Sequence, residues 1–154
     1  MRNHGINPDR RWKRMREQVL AMKTLWTEDI AGFHGEDIRF DPVWQWPKPI
    51  QKPHPPVLIG GEGPTVLRRV LQYGDGWLPN DHPEVHQRMD ALRRLAAETG
   101  CEPPPVTVFA VDHNAGVVSS HRKTGVDRCV FNLPTAPAHE VLPVLKRLAG
   151  MLGL

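Results

Sequence analysis

The chain has 154 residues, of which 40% are hydrophobic and 24% are charged, and its net charge at pH 7 is +3. This composition is typical of one globular domain covering 1–154, and it excludes a disordered or collagen-like chain. The small basic excess is spread over several predicted helices, and no apolar run is long enough to span a bilayer, which argues against nucleic-acid and membrane partners.

The first predicted element is a helix. Asn7 can cap its N-terminus, and Pro8 suits its first turn. Its apolar residues recur at steps of three and four, which predicts one buried stripe. The members of that stripe are Trp12, Met15, Val19, Met22 and Trp26. The opposite, solvated face carries Arg10, Arg14, Glu17 and Lys23.

Residues 31–56 are predicted to form an irregular insertion. Six prolines in this stretch oppose a helix and remove donors that a sheet would need. Four aromatic residues nevertheless provide apolar anchors, namely Phe33, Phe40, Trp44 and Trp46. The pattern therefore indicates a packed excursion of the kind that is often a functional loop or lid.

After this insertion, short apolar runs alternate with helical patterns. Strands are predicted at 57–59, 76–78, 106–111 and 128–133. Helices are predicted from Pro64 to Tyr73, from Pro83 to a stop at Gly100, and after Pro137 with Pro143 in the first turn. Residues 114–124 fit either a short helix or a loop. This alternation predicts an α/β fold with parallel strands and right-handed crossovers.

Residues 60–63 follow the first buried strand and read Gly-Gly-Glu-Gly. Gly60 and Gly61 can adopt positive φ and allow a ligand to approach the main chain. The N–H groups of the helix that begins near Pro64 point to the same place, so this turn could bind a phosphate or the edge of a flavin ring. The alternative is a tight strand-to-helix turn that needs glycine for its own conformation.

The turn lacks both the GxGxxG dinucleotide fingerprint and the GK[ST] of a P-loop. The charge of Glu62 opposes a bare phosphate, which favours contact with a ring or a ribityl group. Among other strand ends, Asn80, Asp81 and Asp112 are candidates to contact a substrate, with solvated loop residues as the alternative.

No metal site is predicted. His82 and His86 lie four apart, but the sequence between them is not that of HExxH and no third ligand is evident. Cys101 and Cys129 have no CxxC spacing, and the basic N-terminus lacks the apolar segment of a signal peptide. These features predict reduced thiols in a cytoplasmic protein, and no residue is identified as catalytic.

Five segments, in this order, resemble the C-terminal half of the bacterial luciferase-like oxidoreductases. The similarity is greatest to the branch that uses the deazaflavin coenzyme F-420, and it extends over about 11–134. The segments read MREQVLAMKTLWTED, FHGEDIRF, PKPIQKPHPPVLIGG, GGEGPTVLRRVLQYGDGWLP and TGVDRCVFNLP.

The resemblance implies a (β/α)8 TIM barrel, commonly dimeric, that binds coenzyme F-420 or, alternatively, FMN at the carboxyl ends of its strands. By position, Gly60 and Gly61 would lie against the cofactor, with Glu62 and Gly63 beside them. The family transfers a hydride to or from a small organic substrate, or inserts oxygen.

Only four of the eight strands of such a barrel are predicted here. The chain is therefore expected to form a homo-oligomer or to pair with a complementing N-terminal half, because half a barrel exposes its sheet edges. Two alternatives to an oxidoreductase stay open. One is a catalytically incomplete remnant that acts only in folding or dimerisation, and the other is a phosphate-binding α/β module.

Overall fold

The computed structural model describes residues 8–153. The chain divides into two compact units, one formed by the described part of 1–57 with 72–74, the other by 58–71 with 75–153. The single domain expected from the sequence stays a prediction. The proposed cap Asn7 lies outside the described residues.

The first unit contains one long helix and a β-hairpin. A 3-10 turn over Pro8–Arg10 leads into α1 (Arg11–Thr27), and the hairpin consists of β1 (Ile30–His34) and β2 (Arg39–Trp44). The strands are antiparallel, and the rings of Phe33 and Phe40 stack across them at 6.4 Å.

The hairpin corrects the prediction that 31–56 is irregular throughout. Pro42 lies within β2, where the register shifts between Ala31 and Phe33 on the opposite strand. Both strands of a two-stranded sheet are edges, so a residue without an N–H group is tolerated there. Residues 45–57 contain neither helix nor strand. The predicted packed excursion is wrong here, since no residue of 45–57 is buried and the predicted anchors Trp44 and Trp46 are largely exposed. Lys48 nevertheless connects this stretch to α1, because it donates to the Leu25 carbonyl at 2.8 Å.

The buried stripe of α1 differs from the predicted one. Val19 and Ala21 are buried, whereas Trp12 and Met22 are 41% and 38% exposed. Glu17 was predicted to be solvated but is buried. Its carboxylate accepts hydrogen bonds from the backbone N–H groups of Glu36, Asp37 and Ile38 at 3.2, 2.7 and 3.0 Å. The hairpin turn therefore depends on a charged side chain, which hydropathy alone would assign to solvent.

We expect Glu17→Gln to lower the melting temperature by several degrees at pH 7. The N–H of Asp37, together with those of Ile38 and Glu36, holds the pKa of Glu17 below its ordinary 4.5, although burial opposes this. A lowered pKa stabilises the fold above the unfolded-state value, and this stabilisation is lost as the pH falls through the folded-state value.

Thermal melts from pH 7 to 3 check the Glu17 prediction. The wild type should lose stability below about pH 4.5 more steeply than Glu17→Gln. The exposed Glu98→Gln is the matched control and should follow the wild type. Parallel curves for the wild type and Glu17→Gln would contradict the role assigned to this carboxylate.

The second unit alternates strands and helices in the predicted order. The elements are β3 (Leu58–Gly60), α2 (Val66–Tyr73), β4 (Gly76–Leu78), α3 (Val85–Glu98), β5 (Thr107–Phe109), α4 (Ala115–Thr124), β6 (Arg128–Val130) and α5 (Ala138–Leu152). β3 pairs with β4 and β5 with β6, both in parallel. The parallel bridges Trp77↔Val106 and Asn80↔Phe109 connect β4 with β5. The order is therefore β3-β4-β5-β6, as consecutive βα units of a barrel require.

The helices that follow these strands bury most of the predicted apolar residues. Buried positions in and between the elements include Ile59, Val66, Val70, Trp77, Val85, Met89, Leu92, Ala96, Val106 and Val108. The helix α3 ends before Gly100, whose φ is +70°, as the sequence predicted.

Helix α5 differs from its prediction in two ways. Pro143 lies in the second turn and not the first, because the helix begins at Ala138. Proline has no N–H to donate to the carbonyl four residues earlier, and that carbonyl belongs to the exposed residue His139. Of the predicted stripe only Leu148 is buried, and Leu145 is 47% exposed.

Residues 114–124, for which helix and loop stayed open, form α4 behind a capping Asn114. The side chain of Asn114 accepts from the N–H groups of Gly116 at 2.7 Å and Val117 at 3.4 Å. We expect Asn114→Ala to lower the free energy of unfolding by about 1 kcal/mol. Chemical denaturation would measure this loss, and Asn114→Asp, which retains the acceptor, should recover most of it. Equal stability of the alanine variant would contradict the cap.

No helix within 8–153 is long and apolar enough to cross a membrane.

Candidate functional site

The carboxyl ends of the four parallel strands meet at one edge of the second unit. The turn at 61–65 follows β3, and the loop that begins at Pro79 follows β4. The loop after β5 contains Asp112 and His113. Ligands bind at this edge in parallel α/β architectures, where the loops that follow the strands supply the binding residues.

The turn after β3 presents open backbone. The φ of Gly61 is +105°, a conformation that favours glycine. A Cβ atom built at Gly61 or at Gly63 would meet no atom within 4 Å beyond the chain neighbours of each glycine, so the space on that side is open. The sequence predicted positive φ and an accessible main chain at Gly60 and Gly61, and this holds for Gly61, whereas Gly60 is the last residue of β3 and pairs with Leu78. The role of Gly60, Gly61, Glu62 and Gly63 in binding a cofactor stays a prediction.

Hydrogen bonds to the carbonyl groups hold this turn in place. The indole N–H of Trp77 donates to the carbonyl of Gly61 at 3.0 Å. The carbonyl of Gly63 accepts from the N–H of Val66 at 3.0 Å and from Arg88 Nη2 at 3.2 Å. The Gly61 N–H belongs to the parallel ladder of β3 and β4, where Gly60 pairs with Leu78. By contrast, the N–H groups of Glu62 and Gly63 donate to no acceptor within the described part of the chain. The turn is therefore fixed through its acceptors, while the N–H groups of Glu62 and Gly63 stay available.

The Glu62 side chain connects two of the strand ends. Its Oε1 accepts from both the backbone N–H and the side-chain amide of Asn80, each at 2.8 Å. The structure thus brings together a residue predicted to lie beside a cofactor and one predicted to contact a substrate. These bonds turn the Glu62 carboxylate toward the β4 loop, so its charge is partly satisfied by protein donors.

Asp81, another predicted substrate contact, binds a protein side chain instead of facing solvent. Its Oδ1 lies 3.1 Å from Nε2 of His121, and its Oδ2 accepts from the Asp112 N–H at 3.4 Å. His121 Nδ1 lies 2.9 Å from Nε2 of His86. A relay of three side chains therefore runs from the β4 loop through α4 to the start of α3.

Sequence reasoning did not identify His121 as a site residue. It is 40 positions from Asp81 and 35 from His86, so no local spacing connects the three. One sequence feature could have indicated His121 as a buried residue, because it lies on the same face of α4 as Val118. Both side chains are buried. Only the stacking of successive βα units makes the three residues neighbours.

The side chain of Asp112 lies at a cleft of about 350 Å³ together with Asp81, His82, His86 and His121. The nearby Cys129 thiol has a raised pKa, mainly because of burial and further because of Asp81. Within 8–153, no group of three His, Cys, Asp or Glu side chains is arranged to hold a metal ion.

The family model described as luciferase-like monooxygenase matches residues 1–115. The chain is 32% identical over 155 residues to an uncharacterised protein of Mycobacterium tuberculosis, covering 98% of this chain and 54% of that relative. It is also 32% identical over 97 residues to the FMNH2-dependent dimethylsulfone monooxygenase of Pseudomonas putida, covering 62% of this chain and 27% of the relative. The chain thus spans about half the length of the first of these relatives and less of the second.

Two solved structures share the fold. The monooxygenase RslO1 from Streptomyces bottropensis superposes with a TM-score of 0.76 at 18% identity, covering 96% of this chain and 62% of that one. An F-420-dependent secondary alcohol dehydrogenase in complex with an F-420-acetone adduct gives 0.56 at 16% identity, with 95% and 55% covered. Both are TIM-barrel enzymes. The predicted family and the predicted partial barrel of parallel strands are confirmed.

Proposed function

The chain belongs to the luciferase-like monooxygenase family, and from this premise we propose that it is an oxidoreductase that uses a deazaflavin or flavin cofactor. The proposed reaction is hydride transfer to or from a small organic substrate, or insertion of oxygen into it. The P. putida relative is named as FMNH2-dependent, and one structural neighbour is named as F-420-dependent. Coenzyme F-420 is the first candidate and FMN the second.

The observation that carries this proposal is the uncovered main chain at 61–63. The two N–H groups of Glu62 and Gly63, which have no acceptor in the described part of the chain, lie beside two glycines with open space at the Cβ position, and together they fit the polar edge of an isoalloxazine-type ring. The positive end of the α2 dipole is close to the same turn and favours a ligand with partial or full negative charge. The residues present therefore suit the cofactor that the family implies.

The chain's own residues would hold and orient that cofactor. Trp77 and Arg88 fix the carbonyl groups of the turn, and Asn80 fixes the Glu62 carboxylate, so the turn does not need to reorganise when a ligand binds. The bound cofactor supplies the redox chemistry, while the protein positions it and excludes water. Asn80 and Asp112 are the exposed residues at this edge that we propose to contact the substrate.

The cofactor assignment is tested by titrating the chain with F-420 and, separately, with FMN. We expect a saturable change in the absorption or fluorescence of at least one of them, with F-420 binding more tightly. No spectral change with either, up to high micromolar concentration, would contradict an oxidoreductase and favour the catalytically incomplete alternative.

We further propose that the outer strands β3 and β6 are covered by another polypeptide, either a second copy or a complementing half. Within the described residues, neither strand has a partner on its outer side. Unpaired edges of parallel strands are exposed to association. Light scattering coupled to size exclusion tests this. A mass of twice 17.4 kDa or more supports self-association. A monodisperse monomer would contradict self-association, and a complementing half would then be the proposed partner.

The proposed location is the cytoplasm. Cys101 and Cys129 are both free, which suits a reducing compartment.

A further inference from the structure

The parallel sheet of the second unit is well covered on one face only. Successive residues of a strand point to opposite faces, and the face with Ile59, Trp77 and Val108 is fully buried, at 0% exposure for each. The other face carries Phe109, which is 39% exposed. Parallel strands normally bury both faces, so this second face lacks a cover within the described part of the chain. Its half-buried apolar members are Leu58, Leu78 and Val130.

The outer edge of β6 presents main-chain groups without partners. The N–H of Arg128 donates to the carbonyl of Val106 at 3.3 Å, so Arg128 faces β5. The carbonyl of Val130 accepts from the N–H of Val111 at 3.0 Å, so Val130 also faces β5. Alternate residues of a strand direct their main-chain groups to opposite neighbours. The N–H and carbonyl of Cys129 therefore point outward, and neither is paired within 8–153.

The outer edge of β3 offers the complementary groups. Gly60 pairs with Leu78 in the parallel ladder to β4, to which the N–H of Gly61 belongs. By the same alternation, the main-chain groups of Leu58 and Gly60 face away from β4. A strand that lies parallel to β3 on this side would therefore meet a carbonyl at Leu58 and an N–H at Gly60.

An apolar groove extends the open side of β6. It encloses about 240 Å³ and is formed by α5 and the residues that follow β6. Leu133 and Leu145, which line it, are 40% and 47% exposed. The lining is apolar throughout and consists of Phe131, Leu133, Leu145, Leu148, Ala149 and Leu152. Apolar surface of this kind, continuous with an open strand edge, is typical of a surface that binds another protein.

We propose that a second copy of this chain covers these surfaces, and that two copies close one eight-stranded barrel. The chain shares the fold of TIM-barrel enzymes, so its four strands have the curvature of a barrel and span half of its circumference. A half-turn about the barrel axis places β6 of each copy beside β3 of the other, with all eight strands parallel. Both junctions are then equivalent by symmetry.

A second copy satisfies all of these surfaces together. The outward N–H of Cys129 in one copy meets the outward carbonyl groups of β3 in the other, and this pairing occurs twice. Closure leaves no unpaired edge, and it buries the face that carries Phe109 inside the barrel. A cover that pairs with one edge alone would leave the other open.

Closure also completes the candidate cofactor site, a consequence that rests on the proposed function. The carboxyl ends of all eight strands lie at one mouth of the barrel. The loop that follows β6 in one copy then lies beside the turn at 61–63 of the other. We therefore expect the cofactor to bind the dimer more tightly than the monomer.

Light scattering and amide hydrogen exchange without any cofactor test the dimer, so a failure of the proposed function would not affect the result. We expect a mass of twice 17.4 kDa that does not grow with concentration. The amides of Gly60 and Cys129 should be protected from exchange. A monomer, an open series of larger assemblies, or a dimer in which these two amides exchange freely would overturn the proposal.

Two variants locate the interface. Phe109→Lys places a charge inside the closed barrel and should raise the dimer dissociation constant by about thirtyfold or more, as for the loss of an interface hot spot. Its control is Ile50→Lys, because Ile50 is 97% exposed and lies in the first unit. Ile50→Lys should dimerise as the wild type does.

Cys129→Pro decides the question if Phe109→Lys fails to fold. Proline removes the outward N–H of an edge strand and leaves the bonds to β5 intact. This variant should also be monomeric, whereas Cys129→Ser, which keeps the N–H, should remain a dimer. A dimer that withstands both Phe109→Lys and Cys129→Pro would refute the assigned interface.

Discussion

Replacing Trp77 by alanine is expected to lower the free energy of unfolding by about 3–5 kcal/mol, the loss typical of a large buried aromatic side chain. Trp77 is fully buried in β4, pairs with Ile59 of β3 and forms the bridge to Val106 beside β5. Its indole also donates to the carbonyl of Gly61. Chemical denaturation followed by circular dichroism would measure the loss.

Trp77→Phe is the matched control for this prediction. It keeps most of the apolar volume but removes the indole N–H, leaving the Gly61 carbonyl without that donor. We expect it to recover part of the stability while still loosening the 61–63 turn. A Trp77→Ala variant within about 1 kcal/mol of the wild type would contradict the central position given to this residue.

Gly63→Leu is expected to lower the affinity for the cofactor by about tenfold or more while leaving the melting temperature almost unchanged. A Cβ atom added at Gly63 would meet no atom within 4 Å beyond its chain neighbours. The backbone of Gly63 is also not in the left-handed region, so leucine brings no conformational strain. Only a ligand lying over the turn would meet the added side chain.

Gly150→Leu provides the control for this substitution. Gly150 lies in α5, and a Cβ there also meets nothing within 4 Å. We expect its cofactor affinity to equal that of the wild type in the same spectral titration. If Gly63→Leu binds the cofactor as tightly as Gly150→Leu does, the ligand does not lie over the turn.

The second unit could be predicted well from sequence because its signals are local. Each buried strand is a short apolar run bounded by glycine or proline, and each helix carries apolar residues at regular spacing. The observed strands are shorter than predicted at 106–111 and 128–133, where β5 and β6 contain three residues each. Pairing with a neighbouring strand, which a single sequence does not display, sets those limits.

The first unit shows where the same reasoning failed. The prolines of 31–56 correctly indicated an absence of helix, but Pro42 is compatible with a two-stranded hairpin whose strands are both edges. Glu17 reads as a solvated residue until its three backbone donors are known. Both errors arise because long-range hydrogen bonding overrode a local preference.

The candidate site was predicted in part. The open positions at Gly61 and Gly63 follow from the Gly-Gly-Glu-Gly pattern, since such a turn leaves main chain accessible. The Glu62 contact with Asn80 and the relay through His121 could not be predicted. Each joins residues on separate βα units that become neighbours only in the folded chain.

The most direct test of the proposed cofactor seat is backbone amide NMR during titration with F-420 and with FMN. We predict that the amides of Glu62 and Gly63 show the largest saturable shifts, because they are donors with no acceptor in the described part of the chain. Shifts confined to other parts of the chain, with these two amides unmoved, would contradict the account.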